Sequence, residues 1–226
     1  MMKLTQQRLV IFGVSNILSD LFDCALANGL ALGKVVIHLP ESKEHRNLSL
    51  ADRLTAVGSI CTPPTVECLD EFTPEANEVY LLGPTTPARA ALAVELKKRF
   101  NLRFHTLIHP SAYVSPLAKL SDGVFVGANS VIGPGAQLAE HVFVNRGVTI
   151  GHDTHIGAFS RIQPGSNLGG LSHIGHSVTV GIGATLIERL VVGANAFIGA
   201  GAVVTADVDA NVLVVGTPAK FKKNLG

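Results

Sequence analysis

Residues 144–162 read VNRGVTIGHDTHIGAFSRI, so that Val144, Ile150, Ile156 and Ile162 stand six residues apart. The same spacing continues in both directions, and every sixth residue over seventeen repeats is Ile, Leu or Val. The positions are Ile108, Val114, Leu120, Val126, Ile132, Leu138, Val144, Ile150, Ile156, Ile162, Leu168, Ile174, Val180, Leu186, Val192, Ile198 and Val204. This period fits neither an α-helix nor a simple strand. It predicts a short strand followed by a corner, repeated as in the hexapeptide solenoids that form parallel β-helices.

A second pattern supports the β-helix, because the residue four positions after each aliphatic residue is mostly small, as at Ala136, Ser160 and Ala184. We expect both residues to point inward, with the aliphatic one filling the axis of a triangular prism. Three hexads complete one coil, so residues eighteen apart should stack, and the absence of insertions predicts a regular prism. Glycines that directly follow the aliphatic residues are predicted to allow the tight bends; they are Gly127, Gly133, Gly151, Gly157, Gly175, Gly181, Gly193 and Gly199.

The first hundred residues alternate short apolar runs with helical patterns, which predicts a small parallel α/β domain. The predicted strands are Arg8–Phe12, Lys34–His38 and Glu78–Leu82. The predicted helices run from a cap at Ser15 or Asn16 to about Asn28, from Leu48 to Val57, and from Pro87 to about Phe100. The chain therefore divides into a Rossmann-like α/β domain, 1–104, and a β-helix domain with a C-terminal tail, 105–226.

Ligands of such parallel sheets bind where strands end and helices begin. In this chain those places are the Gly13–Ile17 turn, the His38–Glu41 segment and the Gly83–Thr86 turn. A dinucleotide-binding turn has more glycines than the single Gly13, which argues against a redox dinucleotide. A packing domain without a ligand of its own is the alternative.

Composition excludes several classes of function. The formal net charge is +1 and the basic tail Lys220, Lys222 and Lys223 is short, which argues against nucleic-acid binding. The apolar run Leu190–Ala206 follows the hexad rhythm and is interpreted as prism wall, not as a membrane span. The polar start Met1–Leu9 and three cysteines without metal-ligand spacing predict a cytoplasmic protein with reduced thiols and no signal peptide.

Three stretches carry a family resemblance, together with the two-domain order. They are Ile108-His-Pro-Ser-Ala-Tyr-Val114, Asn145–Gly157 and Val215-Gly-Thr-Pro-Ala-Lys220. The chain resembles the bacterial hexapeptide-repeat nucleotide-sugar acetyltransferases of the bacillosamine, perosamine and sialic-acid group, strongly over the β-helix and weakly over the first domain. The resemblance implies a left-handed parallel β-helix, acetyl-CoA as acyl donor, and a sugar or nucleotide sugar as acceptor. It also implies a homotrimer with acetyl-CoA in the groove between adjacent prisms.

The resemblance further implies roles for individual residues. His152 matches the catalytic histidine, Asp153 the acidic residue that supports it, and Asn145 an asparagine near the sugar. Gly170, one coil beyond His152, matches a glycine whose backbone N–H faces the thioester carbonyl. The CoA-groove positions are Ile182, Ala200 and Arg161, the last standing where a known member of the family has a CoA-contacting histidine.

In the first domain the sequence departs from the family pattern at the positions that bind the nucleotide. Ser15 and Asn16 lie in the turn that matches the family's phosphate-holding turn, and they are the candidate substrate-binding residues. The family often has a pair of acidic residues that bind the base of the nucleotide, and His38-Leu39-Pro40 stands at that place in this chain. The acceptor is therefore either a nucleotide sugar or a sugar without a nucleotide.

The residue chemistry agrees with acyl transfer, which needs a base, a donor for the oxyanion and alignment of two substrates. His152 stands at the third position of its hexad and is expected to point outward, where it can act as a general base. Asp153 can hold its tautomer and the Gly170 N–H can stabilise an oxyanion. The residues alone also allow a surface histidine at position 152 and a corner-turn role for Asp153.

Other histidines raise the question of a metal. His155 and His173 are eighteen apart and should stack, but zinc hydratases of this fold place two histidines five apart, and the pairs found here are three apart, as at His152/His155. We therefore expect no metal.

The leading hypothesis is an acetyl-CoA-dependent sugar N-acetyltransferase of surface-glycan synthesis. The alternatives are a sugar O-acetyltransferase of the sialic-acid type and a non-catalytic trimeric scaffold. An uncharged prism face, such as Val178–Ile187, favours assembly into a trimer.

Overall fold

The computed structural model describes residues 6–40 and 48–226, so Met1–Thr5 and Glu41, which belong to predictions above, lie outside the described residues. The chain forms two compact units. The first contains residues up to 85 together with 91–105, and the second contains 86–90 together with 106–226. Within the described residues no helix is long and apolar enough to cross a membrane.

The first unit contains a four-stranded parallel sheet. Its strands are β1 (Arg8–Phe12), β2 (Ala31–Ile37), β3 (Thr65–Cys68) and β4 (Glu78–Leu82), in the order β3-β2-β1-β4. The helices of the described residues are α1 (Leu18–Ala27), α2 (Leu50–Gly58) and α3 (Arg89–Phe100). The three predicted strands are present. No hydrophobic pattern predicted β3, because this short edge strand is mostly exposed and has no buried apolar run.

All three helices begin later than predicted: α2 begins at Leu50, two residues after Leu48, and neither α1 nor α3 has its predicted start. Neither Ser15 nor Asn16 caps α1, because the helix begins after Ile17 without a side-chain cap, and Ser15 Oγ instead donates to the carbonyl of Gly83 at 2.7 Å. The α3 helix begins two residues after Pro87, since residues 86–88 form a bend and turn. The α2 helix begins with a capping box, in which the Asp52 backbone N–H donates to Ser49 Oγ at 3.1 Å.

The second unit is built from two-residue parallel strands, one for each hexad, which confirms the repeat interpretation and is consistent with a left-handed parallel β-helix. The strands form three sheets, called here the first, second and third faces. The first face contains β5 (Leu107–Ile108), β8 (Phe125–Val126), β11 (Phe143–Val144), β14 (Arg161–Ile162), β17 (Thr179–Val180) and β20 (Phe197–Ile198), and it ends with β22 (Val212–Val215) and the antiparallel β23 (Lys220–Asn224). The second face contains β6 (Tyr113–Val114), β9 (Val131–Ile132), β12 (Thr149–Ile150), β15 (Asn167–Leu168), β18 (Thr185–Leu186) and β21 (Val203–Val204). The third face contains β7 (Lys119–Leu120), β10 (Gln137–Leu138), β13 (His155–Ile156), β16 (His173–Ile174) and β19 (Val191–Val192).

The axis of the β-helix is filled as the pattern predicts. From Val126 to Val204 every hexad aliphatic residue is at most 4% exposed. The small inward residues are also buried, and their hydroxyls are satisfied: Ser160 Oγ donates to the Gly175 carbonyl at 2.8 Å and accepts from Val178 N at 2.9 Å. Such bonds matter because a buried hydroxyl without a partner costs about 1–3 kcal/mol.

The glycines after the aliphatic residues do not have the role that was predicted for them. The left-handed backbone lies two residues further on, as at Gly147 (φ 65°), Asp153 (φ 54°) and Phe159 (φ 60°), so most of these bends use other residues. At each of the eight predicted glycines a Cβ would instead lie 2.8 Å or less from a neighbouring atom, which belongs to the next coil except at Gly199, where it belongs to Val215. Close stacking of the coils therefore requires these glycines.

Candidate active site

Three corners connect the faces: corner A leads from the first face to the second, corner B from the second to the third, and corner C from the third back to the first. His152 and Asp153 lie at corner B, between β12 and β13. The His152 Nδ1 atom is 2.9 Å from Asp153 Oδ2, and the two side chains are 57% and 55% exposed. An ionised carboxylate only accepts hydrogen bonds, so the proton of the neutral imidazole lies on Nδ1. The lone pair of Nε2 is then available to accept a proton.

Gly170 lies one coil beyond His152 on the same corner. A Cβ at Gly170 would lie 2.8 Å from His152 Nε2, so the bare Cα of Gly170 packs against the imidazole. The two coils are joined by a bond from Leu171 N to the His152 carbonyl at 2.8 Å. Within the described part of the chain, no acceptor is found for the Gly170 N–H. Corner B thus brings together a proton acceptor and a free backbone donor, the two groups that acyl transfer needs.

Three other predicted residues lie at corner A. Asn145 is buried, and its Nδ2 is 3.4 Å from Gln163 Oε1 while its Oδ1 accepts from Arg146 N at 2.8 Å. Ile182 is 59% exposed and Ala200 is also exposed. Four left-handed glycines of this corner, called here the trough, have open space beside them, because a Cβ would meet nothing within 4 Å at Gly147, Gly165, Gly183 or Gly201.

Arg161 lies on the first face, next to corner A. It is half-buried, and its Nε donates to Thr179 Oγ1 at 3.0 Å. Burial lowers the pKa of its guanidinium. This arginine is therefore held to the wall of the β-helix by its neighbour on the next coil.

The predicted β-helix residues separate into two groups within one chain. The first group, His152, Asp153 and Gly170, shares corner B, whereas Asn145, Ile182 and Ala200 share corner A. The second face lies between the two corners. A single copy therefore does not bring all of these residues to one point.

Ser15 and Asn16 lie in the first unit, just beyond β1. The strand ends are close together there, since a Cβ at Gly13 would lie 2.7 Å from His38 Cε1 and 2.9 Å from Pro84. Asn16 is exposed, whereas the Ser15 hydroxyl is used in its bond to Gly83. Burial lowers the pKa of His38, and its Nδ1 is buried without a hydrogen-bond partner among the described residues. A polar group is thus available at the carboxyl edge of the sheet.

The structure adds residues that the sequence reasoning missed. Arg89, within the second unit, is buried and donates to the carbonyls of His141 and Ser160. Burial, followed by the nearby charge of Arg161, lowers the pKa of Arg89 to about 9. No sequence signal identified this arginine, because its acceptors are carbonyls more than fifty residues away. Gly135 was also missed, although it stands eighteen residues before Asp153 and the stacking rule places it on corner B.

The other histidines that the sequence singled out lie on the third face and at corner C. His155 and His173 stack as predicted, with ring centroids 4.8 Å apart and an interplanar angle of 13°. In residues 6–40 and 48–226 no group of three or more His, Cys, Asp or Glu side chains is arranged to hold a metal ion. At corner C, His176 Nδ1 is 3.4 Å from Ser177 Oγ.

Comparison with known proteins gives matches at the level of structure. No protein-family model and no curated protein sequence matches this chain. A histidine-to-alanine variant of GDP-perosamine N-acetyltransferase from Caulobacter crescentus, in complex with CoA and GDP-perosamine, has a TM-score of 0.80 and 25% identity, covering 96% of this chain and 97% of that one. The acetyltransferase domain of PglB from Neisseria gonorrhoeae, in complex with acetyl coenzyme A, has a TM-score of 0.79 and 27% identity, covering 96% and 100%.

A third structure, WeeI from Acinetobacter baumannii, has a TM-score of 0.73 at 19% identity, covering 96% of this chain and 100% of that one, and this likeness supports the fold alone. The resemblance to hexapeptide-repeat sugar acetyltransferases that the sequence predicted is confirmed by these neighbours.

Proposed function

We propose that this chain is an acyltransferase that transfers acetyl from acetyl-CoA to an amino group of a nucleotide-linked sugar. The observation that carries the proposal is the His152–Asp153 pair, whose Nε2 lies against Gly170 at corner B. The two neighbours at 25% and 27% identity support it, because their structures contain CoA with GDP-perosamine and acetyl coenzyme A, respectively. Acetyl-CoA serves here as a substrate, and no step below needs a metal.

His152 performs the proton transfers in this proposal. Its Nε2 accepts the proton of the amine as the nitrogen attacks the thioester carbonyl, and Asp153 stabilises the imidazolium that forms. The Gly170 N–H donates to the carbonyl oxygen as that oxygen becomes negative. When the carbon–sulfur bond breaks, His152 returns the proton to the leaving sulfur. The products are an amide and free CoA, and His152 ends in its starting state.

The first domain, 1–104, is proposed to be Rossmann-like and to bind the acceptor, while the β-helix domain, 105–226, is left-handed and performs the transfer. The sheet order β3-β2-β1-β4 supports the first assignment, because it matches the first four strands of the 3-2-1-4-5-6 order of dinucleotide-binding folds. Ser15, Asn16 and His38 lie at the carboxyl ends of its strands, where ligands of such sheets bind. The matches to acetyltransferase structures along nearly the whole chain support the handedness.

The division of the site between two corners supports a homotrimer. Asn145, Ile182 and Ala200 lie at corner A, and one chain does not present both corners to the same acetyl group. In a closed ring of head-to-tail contacts, corner B of one copy meets corner A of the next. Acetyl-CoA would lie in the open trough of corner A, with Arg161 beside it and the catalytic pair of the neighbouring copy opposite.

A thiol-release assay tests the function. Acetyl-CoA is offered with a panel of GDP- and UDP-linked amino sugars, their hydroxyl analogues and free amino sugars, using wild type and His152→Asn. The proposal expects turnover with a nucleotide-linked amine, loss of that turnover in the variant, and an acetylated amine in the product. Turnover with hydroxyl acceptors alone would instead indicate an O-acetyltransferase. Absence of turnover with every acceptor would favour the scaffold alternative.

A further inference from the structure

The carboxylate of Asp153 is divided between two neighbours at corner B. One oxygen, Oδ2, is 2.9 Å from His152 Nδ1. The other oxygen, Oδ1, occupies the space that a side chain at Gly135, one coil earlier, would need, because a Cβ built on Gly135 would overlap it and would lie 3.1 Å from Asp153 Cγ. Each member of the pair thus has a bare Cα beside it, that of Gly135 beside Asp153 and that of Gly170 beside His152.

We propose that Gly135 is a positioning residue, whose missing side chain leaves the space in which Asp153 can hold the proton of His152 on Nδ1. The proposal deepens the proposed function and rests on His152 as the base. The repeat itself does not assign this role to Gly135. The residue follows β9, whereas His152 follows β12 and Gly170 follows β15, so the three residues come from three successive coils of corner B.

Backbone conformation does not by itself require glycine at this position. Gly135 has φ +71°, but the equivalent position is occupied by Leu171 and Arg189 in other coils of corner B, and by Asn129 and Phe159 at the other corners, with φ between 57° and 63°. Space distinguishes Gly135 from other corner glycines. Gly165 has φ +68° and a Cβ there would meet nothing within 4 Å, whereas at Gly135 a Cβ would meet a carboxylate.

A methyl group at position 135 should displace the carboxylate without unfolding the chain. The atom in its way is the end of a short side chain that is 55% exposed, so Asp153 can rotate into solvent. His152 then loses the acceptor that holds its proton on Nδ1, and the neutral imidazole places a proton on Nε2 in part of the molecules. In that tautomer Nε2 cannot accept a proton from the amine.

Nitrogen NMR of the full-length protein, with ¹⁵N-labelled histidine, measures the tautomer without any acetyl transfer. His152 signals are assigned with His152→Asn and recorded at a pH where the imidazole is neutral. The expected result is an Nδ1–H imidazole in wild type and in Gly165→Ala, and a shift toward Nε2–H in Gly135→Ala that matches Asp153→Ala. An unchanged tautomer in Gly135→Ala, or an equal change in Gly165→Ala, would overturn the proposal.

A double-mutant cycle gives the second test, with kcat/KM as the readout. Gly135→Ala should lower kcat/KM by about the same factor as Asp153→Ala, and the double variant should be no worse than either, because the methyl has nothing left to displace. Additive losses would contradict the proposal. If Gly135→Ala alone does not fold, the double variant should fold, since the overlap is then removed. Should no acceptor be turned over, the proposed function fails while the tautomer measurement still decides the role of Gly135.

Discussion

Two histidines occupy the same position of the repeat at different corners. His152 at corner B and His176 at corner C each stand two residues after an axis residue and are exposed. Their immediate partners differ, because His152 Nδ1 is 2.9 Å from an Asp153 carboxylate oxygen and His176 Nδ1 is 3.4 Å from the Ser177 hydroxyl. The repeat places both imidazoles, but among the described residues only His152 has a charged partner.

The neighbouring coils increase the difference. Beyond His152 the chain has Gly170, whose bare Cα lies against Nε2, while eighteen residues after His176 it has Ala194. One coil before Asp153, at corner B, stands Gly135. One coil before Ser177, at corner C, stands Phe159. A regular solenoid thus offers many outward positions of equal geometry, and the residues of the adjacent coils decide which one can do chemistry.

The largest expected effect separates the two histidines directly. His152→Ala should lower kcat/KM by about 10²- to 10⁴-fold, because a general base is lost. The matched control, His176→Ala, should leave kcat/KM unchanged. Both side chains are exposed, so the free energy of unfolding should change by less than about 0.5 kcal/mol in either variant. Equal activity losses in the two variants, measured in the thiol-release assay, would remove the distinction between the corners.

A smaller effect is expected at the glycine beside His152. Gly170→Ala places a methyl group 2.8 Å from the present position of Nε2 and should displace the imidazole. A displacement of about 1 Å can cost about 100-fold in rate, and we expect a loss of kcat of that order. The reverse change at the other histidine, Ala194→Gly, serves as the control and should leave kcat unaltered. Retention of full kcat in Gly170→Ala would show that the close contact is not used.

The smallest effect on kcat/KM is expected when the hydrogen-bond partners of the two imidazoles, Asp153 and Ser177, are replaced. Asp153→Asn removes the charge that stabilises the imidazolium but keeps the size of the side chain. It should lower kcat/KM on the order of ten-fold, a part of the general-base factor. Ser177→Ala at corner C should have no effect on kcat/KM. If Asp153→Asn were as active as wild type, Asp153 would be only a corner residue, which is the alternative that its sequence position left open.

The sequence predicted the parts of this structure that depend on the repeat. Burial along the axis requires an aliphatic residue at every sixth position, so each strand from β5 to β21 could be located by counting. The stacking rule also placed Gly170 against His152 and His155 against His173. Both results follow because the coils have no insertions.

Residues whose role depends on a distant partner escaped prediction. Ser15 has the composition of a helix cap, but its hydroxyl binds the carbonyl of Gly83, sixty-eight residues away. Arg89 is buried against carbonyls of the β-helix, although arginine at a helix start usually stays in solvent. The glycines of the hexads were assigned to bends because glycine is typical of turns, whereas their function is to let the coils approach.

The measurement that tests the account most directly is a subunit-mixing experiment. Two variants are mixed. The first carries His152→Ala and is defective at corner B. The second carries Ile182→Trp, whose larger side chain, at an exposed position, fills the trough at corner A. Each variant alone should be inactive. After denaturation and refolding of an equal mixture, about a quarter of the sites should combine two intact corners and regain activity, as random assembly of a head-to-tail ring requires. Recovery of that fraction is the predicted result, and a mixture as inactive as its components would contradict a site shared between copies.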